Sequence, residues 1–240
     1  MTLADTIAGN LHDVRTRIDA AARRAGRAPG DVRLVAVSKT FAADHVRAAY
    51  AAGQRDFGEN KVQEALQKIA ETADIQVKWH LIGHLQSNKA KKAVGPFACI
   101  HSVDSVELLE RLEAAAEAQG ASPEVLVQVD LAGEATKFGA DLSEARRLLD
   151  AALAARAVRL SGLMLIPPWN EDQEQTRPWF VRLRALRDQW LADGVPATAL
   201  GELSMGMSHD FEAAIEEGAT LVRVGTAIFG KRTPPVQPVA

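Results

Sequence analysis

Lys39 is the residue with the most chemistry to offer. It closes the run Leu34-Val35-Ala36-Val37-Ser38-Lys39-Thr40. The mostly apolar residues before it predict a buried strand, and the lysine stands at the downstream end. In a parallel α/β barrel that end carries the reacting groups. Lysine forms Schiff bases with aldehydes once its amine, ordinarily near pKa about 10.4, is depressed by its surroundings. A solvated lysine just past a strand answers to the same pattern. Arg223 comes next. In Leu221-Val222-Arg223-Val224-Gly225-Thr226 the two valines share a face suited to packing under helices, which turns Arg223 into a barrel. A buried arginine stays charged and needs an acceptor, so a core carboxylate is the alternative to a ligand there. Gly225-Thr226 is a turn that exposes backbone N–H groups to an anion. Ser204-Met205-Gly206-Met207-Ser208 adds two hydroxyls and a flexible turn after the preceding strand. Serine and glycine are also ordinary cap and turn residues. Their joint position after the last two strands matches the usual phosphate site of a barrel.

These residues need a frame that brings strand ends together. Strand patterns recur at Arg33–Ser38, Arg55–Phe57, Lys78–Ile82, Cys99–Ser102, Val125–Val129, Arg159–Leu165, Gly201–Ser204 and Leu221–Val224. Helical patterns lie between them, at Ala43–Ala52, Lys61–Glu71, Ser105–Ala118, Ser143–Leu153, Arg177–Leu191 and Asp210–Glu217. Leu3, Ile7, Leu11, Val14 and Ile18 predict an amphipathic helix before the first strand, ended by Gly26 and Ala28-Pro29-Gly30. Eight strand–helix units predict an α/β fold, a single (β/α)8 TIM barrel with an extra N-terminal helix. The second and seventh strands are short and polar, and a doubly wound open sheet competes. The expected domain is residues 1–233, with 234–240 a frayed tail around Pro234-Pro235.

Composition narrows the function classes. The 240 residues are 47% hydrophobic and 25% charged, as in ordinary globular proteins. A net charge of −3 carries no footprint for nucleic acid. One cysteine, Cys99, makes no internal disulfide, and no apolar run approaches a membrane span. The N-terminus lacks a signal-peptide core, so a cytoplasmic location is expected. His80, His84 and His101 lie at strand ends without clear ligand spacing, so no metal is expected. An amine for an aldehyde, an arginine in search of an acceptor and a phosphate site together fit pyridoxal 5′-phosphate (PLP). A sugar phosphate on an aldolase lysine satisfies two of the three.

The chain resembles the pyridoxal phosphate homeostasis protein family, which is similar to the N-terminal domain of alanine racemase. The likeness is carried by Ala36–Thr40, Phe57-Gly58-Glu59-Asn60 with Gln63-Glu64, Trp79–Gly83 and Leu85–Lys89. It continues through His101–Asp104, Gly162–Met164, Leu203–Ser208 and Val222–Gly230. It implies a type III PLP fold, with Lys39 as the covalent attachment point of the cofactor and Arg223 facing the pyridine nitrogen. Ser204, Gly225 and Thr226 are implied to hold the phosphate, with backbone from Met205-Gly206. Asn60 and His80 are implied to line the pocket, and Met164 to lie near the ring. Lys137, in the loop 133–139, could reach the mouth or could be a solvated loop lysine.

The resemblance implies PLP storage, buffering or delivery through a lysine Schiff base, without significant racemase activity. An always-cationic arginine weakens the ring as an electron sink. Racemases of this fold type add a tyrosine from a second domain. Here the chain ends soon after strand eight, and its single tyrosine, Tyr50, is expected away from the mouth. Weak racemisation or another PLP activity, and a Schiff-base aldolase, are the alternatives. Expected partners are PLP and recipient apoenzymes, with Lys89, Lys91 and Lys92 as a docking face or merely a solvated one. No nucleic acid and no membrane are expected, and a monomer is.

Overall fold

Eight parallel strands form the frame. They are β1 (Arg33–Val37), β2 (Asp56–Glu59), β3 (Lys78–Leu81), β4 (Cys99–Val103), β5 (Glu124–Gln128), β6 (Arg159–Met164), β7 (Glu202–Ser204) and β8 (Leu221–Val224). The computed structural model describes residues 2–133 and 138–231. Each strand pairs with the next, and β8 returns to β1, so the sheet is a closed barrel and not an open one. The seam is set by Val35 opposite Arg223 on one side of β1 and Val37 opposite Gly58 on the other.

Helices cover the outside: α1 (Leu3–Arg24), α2 (Ala43–Ala51), α3 (Val62–Glu71), α4 (Ala90–Ala93), α5 (Val106–Gln119), α6 (Leu142–Ala154), α7 (Arg177–Ala192), α8 (Phe211–Glu216) and α9 (Thr226–Phe229). The N-terminal helix starts where expected. Thr2 accepts from the Asp5 amide while Asp5 accepts from the Thr2 amide, a reciprocal cap. Its buried face, Ile7, Leu11, Val14 and Ile18, belongs to the main core, and the helix packs on α2, α8 and α9.

Side chains alternate along each strand, which splits the core in two. Leu34 and Ala36, Phe57, Trp79 and Leu81, Val222 and Val224 point outward into the core under the helices. Val35, Cys99, Leu126, Met164 and Leu221 form a separate buried cluster inside the barrel. The second strand runs through Glu59 rather than stopping at Phe57. Its polar end is tolerated because the fully buried Glu59 meets a cation on the outer face, Lys68 of α3, at 2.6 Å. Lys137 and the tail 234–240 lie outside the described residues.

Candidate functional site

A cavity of about 370 Å³ opens at the C-terminal ends of the strands. That volume is within the range of about 300–1,000 Å³ usual for small-molecule sites. Period-two alternation from Val35 and Val37 carries Lys39 to the inward side just past β1, where it joins the lining. Its backbone is anchored from outside the barrel. The Ser38 amide donates to Gly58 O at 3.1 Å, and Ser38 Oγ donates to Glu59 Oε1 at 2.7 Å. Lys68 Nζ donates to Ser38 O at 2.7 Å. Thr40 follows at φ 71°, a left-handed conformation rare for a β-branched residue. Such strain persists only where surrounding contacts hold it, and here it lies beside the cavity-lining Lys39.

Arg223 enters from β8 and is buried. Its Nη1 donates to Ser204 Oγ at 2.6 Å and its Nη2 to Leu165 O at 2.9 Å. Its acceptors are thus a hydroxyl and a carbonyl. Burial pulls its pKa down to about 10, against the opposing charge of Asp210, so it remains a cation at neutral pH. Asn60 and Ile82 line the cavity from the ends of β2 and β3. A side chain at Gly83 would place a Cβ 2.4 Å from Asn60 O, so only glycine allows the two strand ends to pass this closely.

Ser208, Gly225 and Thr226 share one wall of the cavity. Ser208 Oγ accepts from the Gly225 amide at 3.1 Å, which ties the loop after β7 to the turn after β8. The β7 loop turns at Gly206, with φ +91°, where an added Cβ would lie 2.6 Å from that of Ala214. Asp210 caps the same turn by accepting from the Met207 amide at 2.6 Å. Burial pushes the Asp210 carboxyl up, and the Met207 hydrogen bond and the charges of His209 and Arg223 oppose it.

The structure brings together Lys39, Asn60, Arg223, Gly225 and Thr226 around this cavity. His80, Met164, Ser204, Met205 and Gly206 do not line it. His80, Met164 and Ser204 sit on inward strand positions below its floor, while Met205 is packed in the outer core. The lining also includes Phe41 and His209, which no sequence pattern marked, together with Trp169 and Ser208. Trp169, 72% exposed on the loop after β6, gave no periodic signal. Tyr50 lies on α2 with the Arg55 guanidinium over its ring, and it is not part of the lining.

His80, Cys99 and His101 bring two imidazoles and a thiol within 4.8 Å of one another in the barrel interior. Burial pushes the Cys99 thiol well up, which works against the thiolate a metal needs. The facing histidine nitrogens, Nδ1 of His80 and Nε2 of His101, bond to each other at 2.9 Å.

Comparison with known proteins places these features. The family described as the alanine racemase N-terminal domain matches residues 10–233. A pyridoxal phosphate homeostasis protein of Pseudomonas aeruginosa is 47% identical over 95% of this chain and 96% of its own length. One from Aquifex aeolicus is 42% identical over 92% of this chain and 96% of its own. PipY of Synechococcus elongatus PCC7942, whose structure was solved with PLP bound, superposes with a TM-score of 0.83 at 44% identity. That superposition covers 93% of this chain and all of PipY.

Proposed function

Since the chain belongs to the family of the alanine racemase N-terminal domain, together with the pyridoxal phosphate homeostasis proteins, we propose that it holds PLP for storage, buffering or delivery. The observation that carries this reading is the convergence of Lys39, Arg223, Ser208, Gly225 and Thr226 on one cavity. When bound, the cofactor supplies an aldehyde, a ring nitrogen and a phosphate. Lys39 is the amine for covalent attachment, and the anchoring of Ser38 keeps it at the mouth. Arg223 offers a fixed donor to the ring nitrogen and gives up no proton. Ser208, Thr226 and the backbone at Gly225 form the anion wall. Ser204, Met205 and Gly206 support that wall from below, Met164 fills the barrel under it, and Asn60 borders the ring side.

The chain works by retention and release, and its relatives are named for homeostasis rather than catalysis. Racemisation needs acid–base groups on both faces of a bound amino acid. Among the described residues lining the cavity, the titratable side chains are Lys39, His209 and Arg223. His209 supports a second reading, weak amino-acid turnover. The protein acts in the cytoplasm as a monomer. It passes PLP to apoenzymes, with the basic segment Lys89, Lys91 and Lys92 as the contact; unchanged transfer kinetics after replacing all three by glutamate would remove that contact. No described helix is long and apolar enough to cross a membrane.

The test is an absorbance spectrum before and after borohydride, with peptide mass mapping. PLP should give a near-visible band, and reduction should leave a phosphopyridoxyl group on Lys39 and none in Lys39→Ala. No band with added PLP overturns the reading in favour of a sugar-phosphate aldolase. Loss of stereochemical purity in alanine, serine or threonine, abolished by His209→Ala, would replace storage with turnover.

A further inference from the structure

Below the cavity an unbroken line of polar side chains crosses the barrel. His80 Nε2 lies 3.0 Å from Asp56 Oδ1, and His80 Nδ1 lies 2.9 Å from His101 Nε2. His101 Nδ1 lies 2.8 Å from Ser204 Oγ, and Arg223 Nη1 lies 2.6 Å from the same hydroxyl. The two histidines, Ser204 and Arg223 are all buried.

Donor accounting gives this line one direction. Arginine only donates, so Ser204 Oγ accepts from it. Among the described residues, the hydroxyl hydrogen then has His101 Nδ1 as its acceptor. His101 must therefore carry its hydrogen on Nε2 and donate to His80 Nδ1. His80 in turn carries its hydrogen on Nε2 and donates to Asp56. The reverse order leaves the Ser204 hydrogen unmatched at a fully buried position, which is costly. The neutral state this requires of His101 agrees with its surroundings. Burial, with the charges of Arg223 and Arg33, holds it well below the usual histidine range. The line ends on a carboxylate whose own burial is outweighed by its hydrogen bond from His80 and by the charges of Arg33 and Lys78, so it stays ionised.

We propose that Asp56, His80, His101 and Ser204 are positioning residues for Arg223: a one-way relay of hydrogen bonds that fixes the guanidinium against the cavity. The relay aims the remaining donors of Arg223 at an acceptor on the bound ligand. The proposal rests on the reading that this ligand is PLP, whose ring nitrogen is such an acceptor.

Histidine side-chain 15N NMR of the cofactor-free protein reads the relay directly. Both histidines should be neutral with hydrogen on Nε2 near neutral pH, and Ser204→Ala should shift the His101 signals. PLP titration then compares His101→Leu, which cuts the relay, with His101→Gln, whose amide accepts and donates as the imidazole does. Leucine should weaken PLP binding about 10- to 100-fold, the size of one hydrogen bond to a charged group. It should also move the absorbance of the bound cofactor, and glutamine should restore both. If His101→Leu fails to fold, Ser204→Ala against Ser204→Thr makes the same comparison. An Nδ1–H tautomer on either histidine, zinc uptake by the pair, or equal PLP affinity of the cut and conservative variants overturns the relay. Wild-type protein that binds no PLP overturns the cavity's reading instead, while the tautomers still decide the relay.

Discussion

Replacing Lys68 by methionine should unhook Lys39 from outside the barrel. Lys68 Nζ donates to Glu59 Oε1 at 2.6 Å and to Ser38 O at 2.7 Å, and Ser38 immediately precedes Lys39. Glu59 is fully buried, and its Oε2 has no hydrogen-bond partner among the described residues. Without Lys68 the carboxylate keeps only the Ser38 hydroxyl. Stripping one partner from a buried ion pair costs about 3–5 kcal/mol, which is on the order of 10 °C in Tm for a chain of this size. The loss should depend on pH. Burial already raises the Glu59 carboxyl, and the Lys68 hydrogen bond and charge are the main forces holding it down. In the variant it rises further. A raised carboxyl means the folded state binds more protons than the unfolded one. Stability then falls as pH climbs from the ordinary glutamate value of about 4.3 through the folded value. The deficit measured by urea unfolding should therefore be large at neutral pH and smaller at pH about 5. Lys68→Met with Glu59→Gln should recover most of it, because no charge is left buried. Borohydride trapping of PLP at Lys39 should slow in the single variant. A deficit below about 1 kcal/mol, the worth of an exposed pair, or one equal at both pH values, would refute this account.

Other perturbations test separate parts of the fold. Gly206→Ala meets the Ala214 Cβ at 2.6 Å in a left-handed turn, so thermal melts should show a loss of about 2–4 kcal/mol. Gly9→Ala, on α1 with nothing within 4 Å, should instead gain up to about 1 kcal/mol from helix propensity. Asp56, whose carboxyl is held below its ordinary value, contributes stability that is present above pH about 3.9 and lost as pH falls further. Asp56→Asn should therefore be less stable than wild type near neutrality, and the two should converge in strong acid when followed by circular dichroism.

The order of elements was legible in the sequence because burial and periodicity are local. Alternating valines in β8 placed Arg223 inward, and the apolar run before Lys39 placed that lysine at a strand end. The helical stripe of α1 needed only its own spacing and its Thr2–Asp5 cap. Gly225-Thr226 and Ser-Met-Gly-Met-Ser pointed to residues of one cavity wall because turn chemistry is also written in adjacent residues. Closure of the sheet was not local, since it depends on β8 finding β1 across nearly the whole chain. The count of eight strand–helix units nonetheless pointed to a closed barrel, whereas depth along the barrel axis was hidden. His80 and Ile82 share a strand face, yet Ile82 reaches the cavity, while His80, two residues earlier, bonds to Asp56 beneath it. Ser204 and Ser208 read as equivalent hydroxyls in one motif. Tertiary structure separated them, giving Ser204 to Arg223 and His101 and Ser208 to the cavity wall. Residue types and local patterning thus determined which chemistry the chain could carry. The register and stagger of eight strands decided which groups meet, because a hydrogen-bond partner is set by three-dimensional distance that no spacing along one strand encodes.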